Sequence, residues 1–128
     1  MSGLGLTESQ KMKKLSQILT TLKKEGNLVG LIFAERSGKL ITKAYDYDFN
    51  FEEFSSMCAS VLESALGLSS AMGDQKIARV ITELESTTIL IFECDEHTFL
   101  ILAAKPDSKI SQVIDKMEEY KKKILFLS

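Results

Sequence analysis

An apolar run followed directly by a glycine-containing turn constrains this sequence more than any other feature. Residues 28–34 read LVGLIFA, a segment too short to cross a membrane and rich in side chains that favour strands. Such a run is typical of a strand that is buried on both faces of a sheet. Polar residues and Gly38 interrupt it, and strand-forming side chains then return, so residues 28–44 predict a β-hairpin. A strand buried on both faces needs one layer of structure above it and another below it.

Amphipathic helices are predicted to supply those layers. The first covers about residues 8–25, where Thr7 and Gln10 form a capping-box pattern and Gly26 provides the C-terminal stop. The second begins after Asn50, whose side chain can cap its first turn.

The C-terminal half of the chain predicts three strands and a last helix. The strands cover residues 76–85, 87–94 and 97–104, and residues 106–108 end the last strand and cap the helix that follows. The run 97–104 is apolar on both faces, so it belongs beside the first strand in the centre of the sheet.

The predicted element order is therefore helix, two strands, helix, three strands, helix. This order gives an α/β (α+β) fold in which one five-stranded, mostly antiparallel sheet carries helices on both faces. We expect a single domain over residues 1–128, with residues 1–7 as an N-terminal tail.

The second helix has small side chains where a one-sided surface helix would carry lysine or glutamate. They include Ser56, Ser60 and Ser64. A small outer face allows another backbone to approach closely, so we predict that a second subunit covers this helix. A merely polar serine face is the alternative.

The strand at residues 76–85 mixes charge with isoleucine, as an edge strand does. Ile77, Arg79, Ile81 and Glu83 share one of its faces. If two copies pair antiparallel about a twofold axis at Ile81, Arg79 of one copy lies opposite Glu83 of the other. These four residues are therefore predicted to lie in a dimer interface.

The net charge of −2 conceals an uneven distribution. Residues 8–25 carry five lysines against two glutamates, whereas residues 46–75 carry six acidic residues and no basic one. Opposite polarity on two sides of a sheet can orient a charged partner, although charged faces also serve solubility alone. The residues predicted to meet a partner are acidic side chains of the middle stretch and one arginine of the hairpin turn: Asp46, Asp48, Glu52, Glu53 and Arg36.

Enzymatic and cofactor chemistry lacks its usual signatures in this sequence. There is no phosphate-binding P-loop motif, and one histidine with two separated cysteines gives no zinc pattern. Residues 95–97 read DEH, but a plain hairpin turn explains them better than a metal site. We therefore expect no metal, no cofactor and no catalytic residues, in a protein that is not an enzyme.

Composition favours a cytoplasmic protein. The first ten residues lack a signal-peptide pattern, and Cys58 and Cys94 are expected to be reduced core thiols. Nucleic-acid binding is a weak interpretation, because the lysines of the terminal helices have no interleaved aromatic residues. Residues 121–123 beside Phe126 are compatible with a membrane-surface role, and equally with a solvated helix end.

The sequence resembles the roadblock/LC7 family over nearly its whole length. The resemblance rests on short motifs of the hairpin and of the last strand: Val29-Gly30, Gly38, Leu40-Ile41, Phe99-Leu100-Ile101 and Pro106. It implies the sheet order 2-1-5-4-3 of roadblock and longin-like (profilin-like) architectures.

The resemblance also implies a function. Family members usually form dimers by joining their third strands, with the second helices packed together, and they bind, scaffold or regulate Ras-like small GTPases. The expected partners are thus a second copy or a roadblock paralogue, together with a Ras-like small GTPase. The alternative is a scaffold or light-chain-type subunit of a motor or membrane-associated complex that does not regulate a GTPase directly.

Overall fold

The predicted order of helices and strands is confirmed. The computed structural model describes residues 5–128, so residues 1–4 of the predicted N-terminal tail lie outside the described residues. The elements are α1 (Glu8–Gly26), β1 (Gly30–Glu35), β2 (Leu40–Tyr45), α2 (Phe51–Ala71), β3 (Val80–Glu83), β4 (Thr88–Glu93), β5 (Thr98–Ala104) and α3 (Ile110–Leu127).

The five strands form one antiparallel sheet in the order β2-β1-β5-β4-β3. This is the order that the family resemblance implies. All seven residues of β5 are buried, as are Gly30 to Ala34 of β1, so the two strands predicted to be covered on both faces are the central ones. Burial on both faces explains why neither strand alternates between apolar and polar side chains.

The two faces of the sheet are covered by different helices. Leu31 and Phe33 of β1 pack into a core with α1 and α3, whereas Ile32 and Ala34 pack into a second core with α2. Because successive side chains of a strand point to opposite faces, a single apolar strand contributes to both cores.

Gly30 and Gly38, which contribute to the resemblance, allow close contacts. A Cβ atom at Gly30 would lie 2.2 Å from the Tyr45 ring of β2. Gly38 has φ +97°, and a Cβ atom there would lie 2.8 Å from the Cα of Ser56. The turn between β1 and β2 can therefore rest directly against α2 only because residue 38 has no side chain.

The ends of α1 agree only in part with the sequence prediction. The capping box of Thr7 and Gln10 is confirmed, with reciprocal hydrogen bonds of 2.9 and 3.1 Å. The left-handed residue at the C-terminus is Asn27, at φ 51°, and not Gly26 as predicted. Gly26 is instead the last helical residue, where a Cβ would lie 2.5 Å from the Val113 side chain of α3.

The predicted cap of α3 by residues 106–108 is wrong. The cap position is Lys109, which makes no side-chain cap hydrogen bond. The Ser108 hydroxyl donates to the Asn27 carbonyl at 2.6 Å and accepts from the Lys105 amide at 2.9 Å. The Ser108 hydroxyl, which was predicted to help cap α3, therefore makes a tertiary contact with the end of α1 instead.

The third strand is shorter than the predicted range 76–85. Only Val80–Glu83 pairs with β4, and residues 75–79 lie outside any strand. Side-chain hydrogen bonds from Ser69 to the Gln75 carbonyl and from Gln75 to the Met72 carbonyl hold the start of the segment at the end of α2. With only one neighbouring strand, β3 has no second set of backbone hydrogen bonds to extend it.

Candidate interaction surface

The side of α2 that faces away from the sheet carries large apolar side chains. Met57, Val61, Leu68 and Met72 are exposed, and Leu68 retains 70% of its accessible surface. Their spacing of four, seven and four residues places them on one face of the helix. The sequence predicts small side chains on this outer face, and the structure places large apolar ones there as well.

Exposed apolar side chains also lie at the neighbouring edge of the sheet. Ile81 of β3 is 46% exposed and Leu84, just after β3, is also exposed. A groove of about 470 Å³ separates α2 from the β3 segment, and Leu68, Met72 and Ile81 lie along it. We call the six exposed apolar residues of this region the α2–β3 surface: Met57, Val61, Leu68, Met72, Ile81 and Leu84.

The predicted interface serines take different places. Ser64 lies on the same helix face as Val61 and Leu68, within the α2–β3 surface. Ser60 is exposed beside this face, and its hydroxyl donates to the Ser56 carbonyl at 3.3 Å. Ser56 lies against Gly38, on the flank of α2 that faces the turn between β1 and β2.

The predicted strand residues lie together at the other side of the groove. Ile77 and Arg79 precede β3 and line the groove with Ile81, and Glu83 is exposed at the end of β3. The Nε atom of Arg79 is buried without a hydrogen-bond partner among residues 5–128. A buried guanidinium donor without a partner is costly, so this arginine is incompletely satisfied within a single chain.

Arg36, predicted to reach a partner, contacts three elements of its own chain. Its guanidinium donates to Glu63 of α2 at 2.5 Å, to Glu93 of β4 at 3.0 Å and to the Glu96 carbonyl at 3.5 Å. The side chain is only 21% exposed. Arg36 therefore ties the β1–β2 turn to α2 and to the β4–β5 turn, and its role toward a partner stays a prediction.

The four predicted acidic residues lie in the loop before α2 and in its first turn, and all four are exposed. Asp46 forms an ion pair with Lys23 of α1, and Glu53 accepts a hydrogen bond from Asn50, the cap of α2, at 3.2 Å. Asp48 and Glu52 form no ion pair within the described part of the chain. These two carboxylates are open to a basic partner.

An aromatic cluster lies at the acidic loop and extends the hydrophobic staple that Phe49 and Phe54, on either side of the cap Asn50, predict from the sequence. It consists of five rings in sequence order: Tyr45, Tyr47, Phe49, Phe51 and Phe54. Phe49 packs edge-to-face on Phe54, with ring centroids 5.5 Å apart, which fixes the entry of the chain into α2. The alternation of aromatic and acidic residues from 45 to 49 was the signal that could have revealed it.

The turn at residues 95–97 is the expected hairpin turn. Asp95 accepts hydrogen bonds from the His97 amide and from the amide and hydroxyl of Thr98, each at 2.8 Å. Burial of Asp95 raises its pKa, but the hydrogen bonds from Thr98 and His97 outweigh burial, so the pKa is lowered.

The two cysteines have the character of core thiols. Burial raises the pKa of Cys58 to about 11 and that of Cys94 to about 12, so both are protonated at neutral pH. Within residues 5–128 no group of histidine, cysteine and acidic side chains is arranged to hold a metal ion. Among the described helices, none combines the length and apolar character that a membrane crossing requires.

Comparison with known proteins gives matches by structure and none by sequence. The sequence matches no protein-family model and no curated protein. An MglB with a tetrameric arrangement matches with a TM-score of 0.84 and 12% identity, over 91% of this chain and 89% of that one. The gliding protein MglB from Thermus thermophilus matches with a TM-score of 0.83 and 12% identity, over 91% and 90%.

A roadblock/LC7 domain from Streptomyces avermitilis matches with a TM-score of 0.79 and 12% identity, over 86% of this chain and 93% of that one. These matches extend over nearly the whole of both chains. The likeness confirms the architecture expected from the hairpin and last-strand motifs: the chain has the roadblock/LC7 fold.

Proposed function

We propose that this chain is a non-enzymatic, dimeric roadblock-type module that binds, scaffolds or regulates a Ras-like small GTPase in the cytoplasm. The observation that carries the proposal is the α2–β3 surface. It exposes six large apolar side chains next to an unpaired strand edge, and an exposed patch of this kind is typical of an interaction site.

A second copy of the chain, or a roadblock paralogue, suits this surface. Two β3 strands that pair antiparallel about a twofold axis would continue the sheet and bring the two α2 helices side by side. The pairing would place Arg79 opposite Glu83 and offer a carboxylate near its guanidinium. A solved MglB with this fold has a tetrameric arrangement, which supports self-association as the use of such a surface.

The family resemblance is the basis for proposing a Ras-like small GTPase as the further partner. The acidic loop and first turn of α2 give the surface a negative rim at which Asp48 and Glu52 are not neutralised within residues 5–128. Such a rim attracts a partner with a basic face and mainly changes the association rate. The chain itself has no phosphate-binding loop, so the nucleotide would belong to the partner.

The dimer is tested by analytical ultracentrifugation of the full chain. We expect a dimer at micromolar concentration and a weakening of at least about a hundredfold for Leu68→Asp, because two buried leucines are lost per dimer. The matched control is Met12→Asp, which changes an exposed apolar residue of α1 on the opposite side of the sheet and should leave the dimer unchanged. A monomeric wild-type chain at high micromolar concentration would contradict the proposed dimer.

The partner is tested by pull-down with GTP-loaded and GDP-loaded Ras-like proteins from the source organism. Asp48→Lys with Glu52→Lys should slow capture at low salt, whereas the matched pair Asp107→Lys with Asp115→Lys should not. Dimer formation without capture of either nucleotide form would favour the alternative, a scaffold or light-chain-type subunit that does not regulate a GTPase.

A further inference from the structure

Two lysine-rich segments that are far apart in sequence meet at one end of the α1–α3 layer. The end of α1 lies beside the start of α3, where Lys116 approaches Glu25 at 4.0 Å. The two helices are therefore antiparallel, and Met12 of α1 lines the same cavity as Leu125 of α3. Residues 11–14, KMKK, thus lie beside residues 121–126, KKKILF.

Lysines outnumber carboxylates at this end, where Glu8, Glu118 and Glu119 pair with Lys11, Lys121 and Lys123, and one exposed side chain is aromatic. We call five exposed side chains here the basic end: Lys13, Lys14, Lys122, Lys123 and Phe126. Lys13, Lys14 and Lys122 are exposed and form no ion pair with any residue from 5 to 128. Lys123 contacts Glu119 at 3.5 Å, and its side chain stays 54% exposed. Phe126 is 52% exposed. A helix end that only faces water would accept any polar residue at this position, so solvation alone does not explain an aromatic ring there.

We infer that the basic end docks on an anionic lipid surface. Lysines that flank an exposed phenylalanine are typical of helices that bind at a membrane interface, where the ring enters the headgroup region and the ammonium groups meet lipid phosphates. Each lysine near such a surface contributes about fivefold in affinity. Three lysines without an ion pair, a fourth that is partly neutralised by Glu119, and one ring thus provide reversible, peripheral attachment.

The charge distribution of the rest of the chain gives this attachment a direction. The acidic stretch 46–75, with six carboxylates and no base, includes α2 on the opposite face of the sheet. An anionic surface would repel this side while it attracts the basic end. The chain would therefore dock with the α2–β3 surface away from the lipid, and this docking does not depend on the proposed dimer.

An acidic protein is the competing occupant, and Phe126 distinguishes the two. An acidic protein segment would need only the lysines for binding. A lipid surface has an apolar layer beneath its charged headgroups, so an exposed aromatic ring among the lysines adds affinity for lipid. Nucleic acid fits less well, because a single ring offers no series of aromatic faces on which bases could stack.

The experiment is flotation of the full-length chain with vesicles of phosphatidylcholine containing roughly one third phosphatidylserine. We expect binding at about 0.1 M salt, loss of most binding at about 1 M salt, and no binding to pure phosphatidylcholine. Lys13→Glu with Lys122→Glu should weaken binding by at least about 25-fold, from two lysine contributions of about fivefold each. Phe126→Ser should weaken binding severalfold at about 0.1 M salt, because the ring no longer enters the headgroup region.

The matched control variants make the same change in net charge, or lose a side chain of similar apolar character, at another place on the surface. Lys24→Glu with Lys109→Glu removes the same charge from the other end of the same helical layer, and Tyr47→Ser removes an exposed aromatic ring from the loop before α2, outside both the basic end and the α2–β3 surface. Both controls should bind as the wild type does. Equal loss in both lysine pairs, absence of vesicle binding, or binding of polyglutamate in place of vesicles would overturn the lipid inference. Circular dichroism melts of each variant would show whether a loss reflects unfolding.

Discussion

Exchange of the charges of Arg79 and Glu83 tests the proposed pairing of two β3 strands residue by residue. In an antiparallel pair with a twofold axis at Ile81, Arg79 of each copy lies opposite Glu83 of the other. Arg79→Glu then places like charges opposite each other at two equivalent positions. Addition of Glu83→Arg reverses both ion pairs and should restore part of the affinity.

The magnitude follows from the symmetry and from the exposure of the two side chains. Each cross-strand ion pair contributes about 0.2–1 kcal/mol, so the two equivalent pairs contribute about 0.4–2 kcal/mol, or roughly a twofold to thirtyfold change in Kd. The exposed position of Glu83 favours the lower part of this range, because solvent screens the pair. The partly buried Arg79, with an unpartnered Nε, favours the upper part.

Sedimentation equilibrium over a series of concentrations measures the Kd of each variant. Lys76→Glu is the matched control, because it reverses an exposed charge three residues away that would face Ser86 in this register. A double variant no better than Arg79→Glu alone would refute the register. If Arg79→Glu with Glu85→Arg restored the dimer instead, the axis would lie at Thr82.

Two further predictions concern the stability of the fold. Gly30→Ala should destabilise the chain by about 1–3 kcal/mol in a urea melt, because the new Cβ would lie 2.2 Å from the Tyr45 ring. Gly67→Ala should instead stabilise it by up to roughly 1 kcal/mol, because the new Cβ in α2 meets nothing within 4 Å. Asp95→Ala should cost about 1–3 kcal/mol at neutral pH through its lost hydrogen bonds. Since the folded-state pKa of Asp95 is lowered, its charge-dependent stabilisation is present above the unfolded pKa of about 3.9 and is lost as the pH falls below it. The difference in stability between the wild type and Asp95→Ala should therefore shrink below that pH in pH-dependent melts. A constant difference down to pH values well below that pKa would contradict this explanation.

Local patterns were enough to determine the elements of this protein. The apolar run at β1, the capping box of Thr7 and Gln10, and the cap Asn50 each depend on residues a few positions apart. Such short-range preferences are the same in the isolated segment and in the fold, so the element order could be predicted. The sheet order came from the resemblance, since no local pattern specifies which strands become neighbours.

Contacts between distant residues decided what the sequence alone could not. Ser108 binds the end of α1 rather than capping α3, and Arg36 bonds to Glu63 and Glu93, 27 and 57 residues away. The shortening of β3 and the exposure of Leu68 likewise depend on which neighbours the folded chain provides. Apolar side chains at helical spacing give the same sequence pattern whether the sheet or a partner covers them. Only the tertiary structure shows which side of α2 the sheet leaves open.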